Sequence, residues 1–476
     1  MLISSMRFLL FIGVSLGVYH FLPRRLQQFW LLLISYVFVA LWDWSFTLVL
    51  ALCTLVNYAF ALLIDQTIDQ RRLWLWVGVG LNVFLLIFFR AADFFLPAFT
   101  ALAGNFGLQT PSEGLQILIP LGLSYYVLGN VSYLVDVYRG QMKPEGDFWI
   151  FALYVAYFPK LIAGPIERAQ SFLPKLARPR LVDIQVLAQS TLLIFVGLFR
   201  KLFIADILIA SILKDVYSLP ANYTPTELMM WLIIYSFAIY NDFAGYTNIV
   251  RGVSGLFGID LNPNFKTPYF SRSFAEFWTR WHISLSEWLR DYVYFPLSRA
   301  LLRRDSRRQS FANLVLPPLV TMMISGLWHG FGLHMLLWGG LHGAYLTAER
   351  VLSHIHPGLI SQDQPLSRQI LSMVVVFTFV ILAWVPFRWE LPAAFEFWRA
   401  LFNWSTFDIR YRRMLLLLPM LFLSLAIDFL QYSRNDEFIF LKWPRPVRAA
   451  LMGVMVVLVV ILTSDDFKQP FVYQAF

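Results

Sequence analysis

A chain of 476 residues that is 58% apolar and only 14% charged departs from the roughly 45–50% apolar and about 25% charged residues of soluble domains. With 45 Phe, 21 Tyr and 17 Trp it has too little polar surface for a water-soluble globule, and at about 20 apolar residues per crossing it has room for about ten to twelve bilayer spans. The net charge of +9 falls largely in pairs between apolar runs, at Arg24-Arg25, Arg71-Arg72, Arg303-Arg304 and Arg307-Arg308, which is the pattern of cytoplasmic loops and argues against a nucleic-acid-binding stripe.

Residues 8–23, 26–42, 44–64 and 73–89 carry no Asp, Glu, Lys or Arg and predict the first four spans. The N-terminal run leads straight into the next without a small-residue cleavage site, which predicts a retained span. The single cysteine, Cys53, lies inside the third run, so no internal disulfide and no cysteine metal cluster is available. Alternation of the paired-Arg loops places the N-terminus outside. A fifth span is expected over about 114–135. Residues 148–159 are apolar but only a dozen long, and Pro159, Gly164 and Pro165 break the helix that follows, predicting a re-entrant or interfacial hairpin whose backbone must be satisfied by protein. Further apolar runs lie at 184–199, 203–213, 228–250, 309–330, 332–348, 369–387, 414–433 and 449–464, the second too short to cross alone. The segment from Asn262 to Arg308 has a local balance of +5. Within it Ser273 to Glu276 reads as a capping box, and Phe274, Phe277, Trp278, Trp281, Leu285, Trp288 and Tyr292 recur at helical spacing, predicting an amphipathic helix in the cytoplasmic interface. The fold expected is all-α and polytopic, one domain over 1–476 with N-terminal spans at 1–139, a central core at 140–350 and C-terminal spans at 351–476.

Seven histidines are present. His329 stands in Gly326-Leu-Trp-His-Gly330, within residues 309–348 that carry no formal charge, and an ionisable side chain at that depth is a functional candidate. His282 falls on the apolar side of the amphipathic segment. His334 and His342 follow His329 at spacings that match no zinc pattern, and no metal site is expected. Asp242 interrupts the run 228–250 with Tyr246 one helical turn away, and is expected either to orient an imidazole or to anchor the helix through an arginine. Lys160, Glu167 and Arg168 flank the broken hairpin, where they meet either an anionic group or lipid headgroups. No Walker loop, His-Glu-x-x-His or nucleophile elbow occurs.

Phe158-Pro-Lys-Leu-Ile-Ala-Gly-Pro-Ile-Glu-Arg168, Tyr240-Asn-Asp-Phe-Ala-Gly-Tyr246, the block from Pro268 through Arg280-Trp-His-Ile-Ser-Leu-Ser286, and Gly326-Leu-Trp-His-Gly330 together resemble the membrane-bound O-acyltransferase family, and within it the bacterial alginate-acetylating branch. The resemblance runs to the closing Gln469-Pro-Phe-Val-Tyr-Gln-Ala-Phe476. It implies helices around a central funnel, a catalytic histidine at His329 and a second characteristic histidine at His282. Charge makes Lys160, Arg168, Arg280 and Arg290 candidates to meet anionic carrier phosphates, with Asp242, Tyr246 and Trp328 as further donor or substrate candidates. The resemblance also implies acetyl-coenzyme A or an acyl-carrier thioester as co-substrate, with no tightly bound cofactor. The acceptor implied is an extracytoplasmic polysaccharide, reached directly or through a periplasmic or extracellular transferase partner, from a multi-pass position among the lipids of the cytoplasmic (inner) membrane. Asp242-Phe-Ala-Gly-Tyr-Thr-Asn248 and Phe295-Pro-Leu-Ser-Arg-Ala300 depart from that branch and leave the polymer open. The rival expectations are an acyltransferase acting on a lipid or protein, and a transporter or flippase built on the broken hairpin.

Overall fold

The computed structural model of the chain describes residues 5–92, 95, 105, 118–178, 182–305, 310–356, 364–403 and 412–462. These residues are predominantly helical, and no β-strand occurs among them. Arg307, Arg308, residues 114–117 of the fifth expected span and the closing residues 463–476 lie outside the described residues. Apart from its first six residues, the chain divides into two compact units, one of Arg7–Asp183 with Val253–Leu261 and one of Ile184–Gly252 with Asn262–Phe476.

In the first unit the charge-free runs become α1 (Met6–Phe21), α2 (Arg24–Ala40), α3 (Trp44–Gln66) and α4 (Arg71–Arg90). Asp43 caps α3, its carboxylate accepting the Ser45 N–H at 2.8 Å. Asn82 Nδ2 donates to Asn57 Oδ1 at 2.7 Å, tying α3 to α4 with the kind of polar contact that holds helices together in hydrocarbon. The faces of α3 and α4 that carry Leu48, Leu52, Leu55, Phe84 and Phe88 are exposed, as lipid-facing surfaces are. Then come α5 (Leu123–Tyr138), α6 (Phe148–Ala156), α7 (Phe158–Ala163) and α8 (Ala169–Ala177). The break expected before Pro159 falls at Tyr157, and the segment around it is buried. Protein satisfies its backbone: the Phe158 N–H donates to Ser35 Oγ at 3.1 Å.

The second unit runs through α9 (Ile184–Leu198), a π-helical stretch over Phe199–Ala205, α10 (Asp206–Ser211), α11 (Lys214–Ser218) and α12 (Pro225–Leu256, whose final turn belongs to the first unit), then α13 (Phe274–Arg280), α14 (Ile283–Leu289) and α15 (Phe295–Arg304). It closes with α16 (Phe311–His329), α17 (Leu333–Ile355), α18 (Leu366–Arg388), α19 (Leu391–Leu401), α20 (Leu418–Arg434) and α21 (Arg445–Leu462). Two sequence expectations change here. Arg200 and Lys201, which separate two apolar runs in the sequence, lie inside one helical stretch from α9 to α10 and are buried. The added residue of a π turn lets two adjacent cations point to different partners: Arg200 pairs with Asp428, and Lys201 reaches Asp206 at 2.8 Å and Asp242 at 2.6 Å. The amphipathic helix expected over 273–292 is instead broken at Trp281-His282. Ser273 Oγ does accept the Glu276 N–H at 3.0 Å, while the Glu276 carboxylate returns to the Arg272 N–H at 2.7 Å.

Among the described residues, Trp44–Gln66, Arg71–Arg90, Pro225–Leu256, Phe311–His329, Leu366–Arg388 and Met414–Arg434 are long and apolar enough to cross a bilayer. Several of the other expected spans fold as helices of 15–17 residues, as in α1, α2 and α9. The core of the second unit is aromatic, with Trp281, Trp338 and Trp384 fully buried. Its tightest helix pair is α16 with α17. A Cβ on Gly326 would collide with the Met335 carbonyl oxygen, and one on Gly339 with that of Met322, so the two backbones approach as only glycines permit.

Candidate active site

His329 ends α16 and is 4% exposed. Its ring is enclosed by Trp328, Trp338 and Phe387, with centroids at 4.8, 5.1 and 5.3 Å. His282 is 1% exposed and also packs against Trp328, its centroid 5.9 Å from that of the indole. The indole of Trp328 therefore touches both imidazoles. Phe243 of α12 closes on His282 at 4.8 Å.

His282 sits at the break between α13 and α14 with φ 43° and ψ 53°, a left-handed conformation that costs a non-glycine residue about 1–2 kcal/mol. Asn264 holds it there. The Asn264 carbonyl accepts the Ile283 N–H at 2.9 Å. Its side-chain Oδ1 accepts Ser284 N–H at 3.2 Å and Ser284 Oγ–H at 2.9 Å, and the same oxygen faces His282 Nδ1 at 3.3 Å. An oxygen that accepts from Ser284 can only accept from the imidazole as well, so Nδ1 carries the proton and Nε2 keeps its lone pair. Burial pushes this imidazole down to about 3, leaving it neutral at physiological pH. Asn264 has no motif or periodic signal in the sequence, because its partners lie about twenty residues further on.

Asp242 and Tyr246 are buried on α12. The ion pair of Asp242 with Lys201 makes it a helix anchor, and its partner is a lysine where an arginine was expected. The basic candidates separate. Lys160 is buried in the first unit with its ammonium 3.9 Å from the Tyr154 ring centroid, and Arg168, partly exposed, precedes α8. In the second unit Arg280 pairs with Glu276 at 2.7 Å and lies over the Tyr432 ring. Arg290 is exposed, pairs with Asp291 at 3.0 Å, and lines a cavity of about 290 Å³. That cavity is walled by Trp278, Ile283, Leu289, Pro318, Met322 and Leu346, with Glu287, Glu349 and Arg350 completing its charged lining. The Gly330 N–H donates to the Gly326 carbonyl at 3.2 Å and closes the helix end. Among the described residues no three His, Cys, Asp or Glu side chains converge to hold a metal ion.

A membrane protein, helical throughout its described regular structure, with two buried imidazoles packed against one tryptophan is the class that these features define. Residues 147–384 match the family model of the membrane-bound O-acyltransferases. The chain is 36% identical to a probable alginate O-acetylase of Pseudomonas aeruginosa over 86% of its own length and 76% of that protein. It is 32% identical to a peptidoglycan O-acetyltransferase of Helicobacter pylori, over 76% of this chain and 71% of that one. With a teichoic acid D-alanyltransferase of Streptococcus thermophilus the identity is 31%, over 49% and 58%. The chain belongs to the membrane-bound O-acyltransferase family and is an O-acyltransferase.

Proposed function

We propose that the protein moves an acetyl group from a cytoplasmic thioester, acetyl-coenzyme A or an acyl carrier, to an extracytoplasmic polysaccharide or to a partner transferase that modifies it, from the cytoplasmic membrane of a bacterium. The observation that carries this reading is the buried His329, set among Trp328, Trp338 and Phe387 in a unit that also holds a largely apolar cavity edged by Arg290, Arg350, Glu287 and Glu349. The alginate and peptidoglycan acetylases among its relatives favour an acetyl group and a polysaccharide.

In the reaction proposed, the acceptor hydroxyl attacks the thioester carbonyl carbon and its proton passes to neutral His329. The C–S bond breaks, and the thiolate leaves with that proton. A positioned imidazole base contributes about 10²–10⁴ in rate, and aromatic walls exclude the water that would hydrolyse the donor. His282 acts on the donor side through Trp328. Arg290 and Arg280 meet carrier phosphates. Acetyl transfer in proteoliposomes tests the reading, with radiolabelled acetyl-coenzyme A supplied on one side and acceptor on the other. Transfer from one side only is expected. Equal transfer from both sides overturns the directional mechanism, and failure to use any thioester overturns the donor.

A further inference from the structure

A second cavity of the second unit, of about 530 Å³, lies between α15, the start of α16 and the end of α17. Phe295, Ser298, Arg299 and Leu302 of α15 line it, and their i, i+3, i+4, i+7 spacing makes them one face of that helix. The face is apolar at both ends and carries its cation in the middle. Arg350 enters from α17, its guanidinium 5.7 Å from the Tyr294 ring centroid and its Nη1 donating to the Leu314 carbonyl at 3.3 Å. Two guanidinium groups thus line the cavity, and among the described residues no carboxylate does. Arg350 also borders the 290 Å³ cavity that holds Glu287 and Glu349, whereas Arg299 does not. The Arg299 Nε donates to the Phe295 carbonyl of its own helix at 3.2 Å, and among the described residues no carboxylate pairs with it. The depth of the cavity is set by α16, which is long and apolar enough to cross a bilayer. Asn313 of its first turn lines the cavity, and Phe311, at the head of that turn, is 80% exposed. Phe295 on the cavity wall is 44% exposed. A cationic hollow therefore stands where a span leaves the hydrocarbon, with bare aromatic rings beside it.

We infer that this cavity binds the phosphate of an anionic phospholipid from the leaflet that meets α15. Arg299 and Arg350 take the phosphate diester through charge-assisted hydrogen bonds, the Ser298 hydroxyl lies next to Arg299 on the same face for the headgroup, and the acyl chains run past Phe295 and Phe311. Basic hollows at the ends of spans suit such headgroups. A soluble phosphate would leave those rings in water. The ammonium of an ethanolamine or choline headgroup would find no carboxylate in the lining, so the headgroup selected is an uncharged one such as glycerol. Bound there, the lipid fastens α15 and the π-helical stretch Arg290–Tyr294 before it to the ends of α16 and α17, and it does so without donor or acceptor.

Full-length protein in neutral detergent, titrated with dioleoylphosphatidylglycerol, dioleoylphosphatidylethanolamine or dioleoylphosphatidylcholine, tests the site, with bound lipid counted by native mass spectrometry. The wild type should bind phosphatidylglycerol about tenfold more tightly than either zwitterionic lipid. Arg299 is exposed, so Arg299→Gln should fold normally and weaken phosphatidylglycerol about tenfold. Arg304→Gln removes the same charge from the same helix outside the cavity and should change binding by less than about twofold. Excess glycerol phosphate should fail to displace the lipid. Equal losses in the two variants would reduce the site to diffuse attraction by a basic helix and overturn it. So would a wild type that does not prefer phosphatidylglycerol, and displacement by glycerol phosphate would replace the lipid with a soluble anion.

Discussion

His329 is visible in the sequence because residues 309–348 carry no formal charge, and an imidazole there stands out against lipid. His282 and His342 were harder to read. The left-handed turn at His282 is imposed by Asn264, a contact that no 3.6-residue periodicity encodes. His342 invites the question of metal spacing, whereas in the fold it packs against the indoles of Trp278 and Trp338. His329→Ala should lower acetyl transfer by about 10²–10⁴ while leaving the protein in the membrane; activity within a few-fold of wild type would remove it from the chemistry. His282 behaves differently with pH. Its imidazole, held near 3 by burial, stays neutral over about pH 5–8, so the loss of kcat/KM as pH falls should persist with an unchanged midpoint in His282→Gln. Disappearance of that acid limb would make His282 the titrating base. Asn264→Ala removes the acceptor of Ser284 and of His282, and should cost about 1–3 kcal/mol, read as a lower Tm in detergent together with reduced activity.

At the scale of helices, apolar runs translated well into elements: the run at 309–330 became Phe311–His329, and that at 369–387 became Leu366–Arg388. What escaped was the joining of 184–199 to 203–213 through the π-helical stretch, since a cation pair normally reads as a loop. The buried groups Arg200, Lys201, Asp206, Asp242 and Asp428 include more carboxylates than cations. Lys201→Met should therefore destabilise strongly, by about 3–5 kcal/mol for a broken buried pair, whereas Asp242→Asn leaves Lys201 with Asp206 and should cost markedly less. Thermal unfolding in detergent compares them, and equal losses would contradict the charge balance. The α16 and α17 pair gives a second contrast. Gly326→Ala drives a methyl into the Met335 carbonyl and should cost about 1–3 kcal/mol. Gly340→Ala, with nothing within 4 Å of the added carbon, should instead gain about 0.5–1 kcal/mol from helix propensity.

For the molecule as a whole, composition and charge identified a polytopic membrane protein, because no soluble core accommodates 58% apolar residues with 14% charge. The orientation that follows from the paired arginines is open to a direct measurement. Arg304 is exposed at the end of α15, and Arg304→Cys in a background lacking Cys53 should be labelled by an impermeant thiol reagent only after the cytoplasmic face is opened. Labelling from outside in intact cells would invert the proposed direction of transfer. The pairing of Arg200 with Asp428 also bears on how the chain is made. The two are separated by 228 residues, so at about 5–20 residues per second Arg200 is synthesised on the order of 10–50 s before its counter-ion exists. Lys201 meets Asp206 only five residues later and waits hardly at all. Biogenesis must therefore shelter the Arg200 guanidinium without its counter-ion until Asp428 is made, and a chain terminated before Asp428 loses the neutraliser of a helix inserted long before.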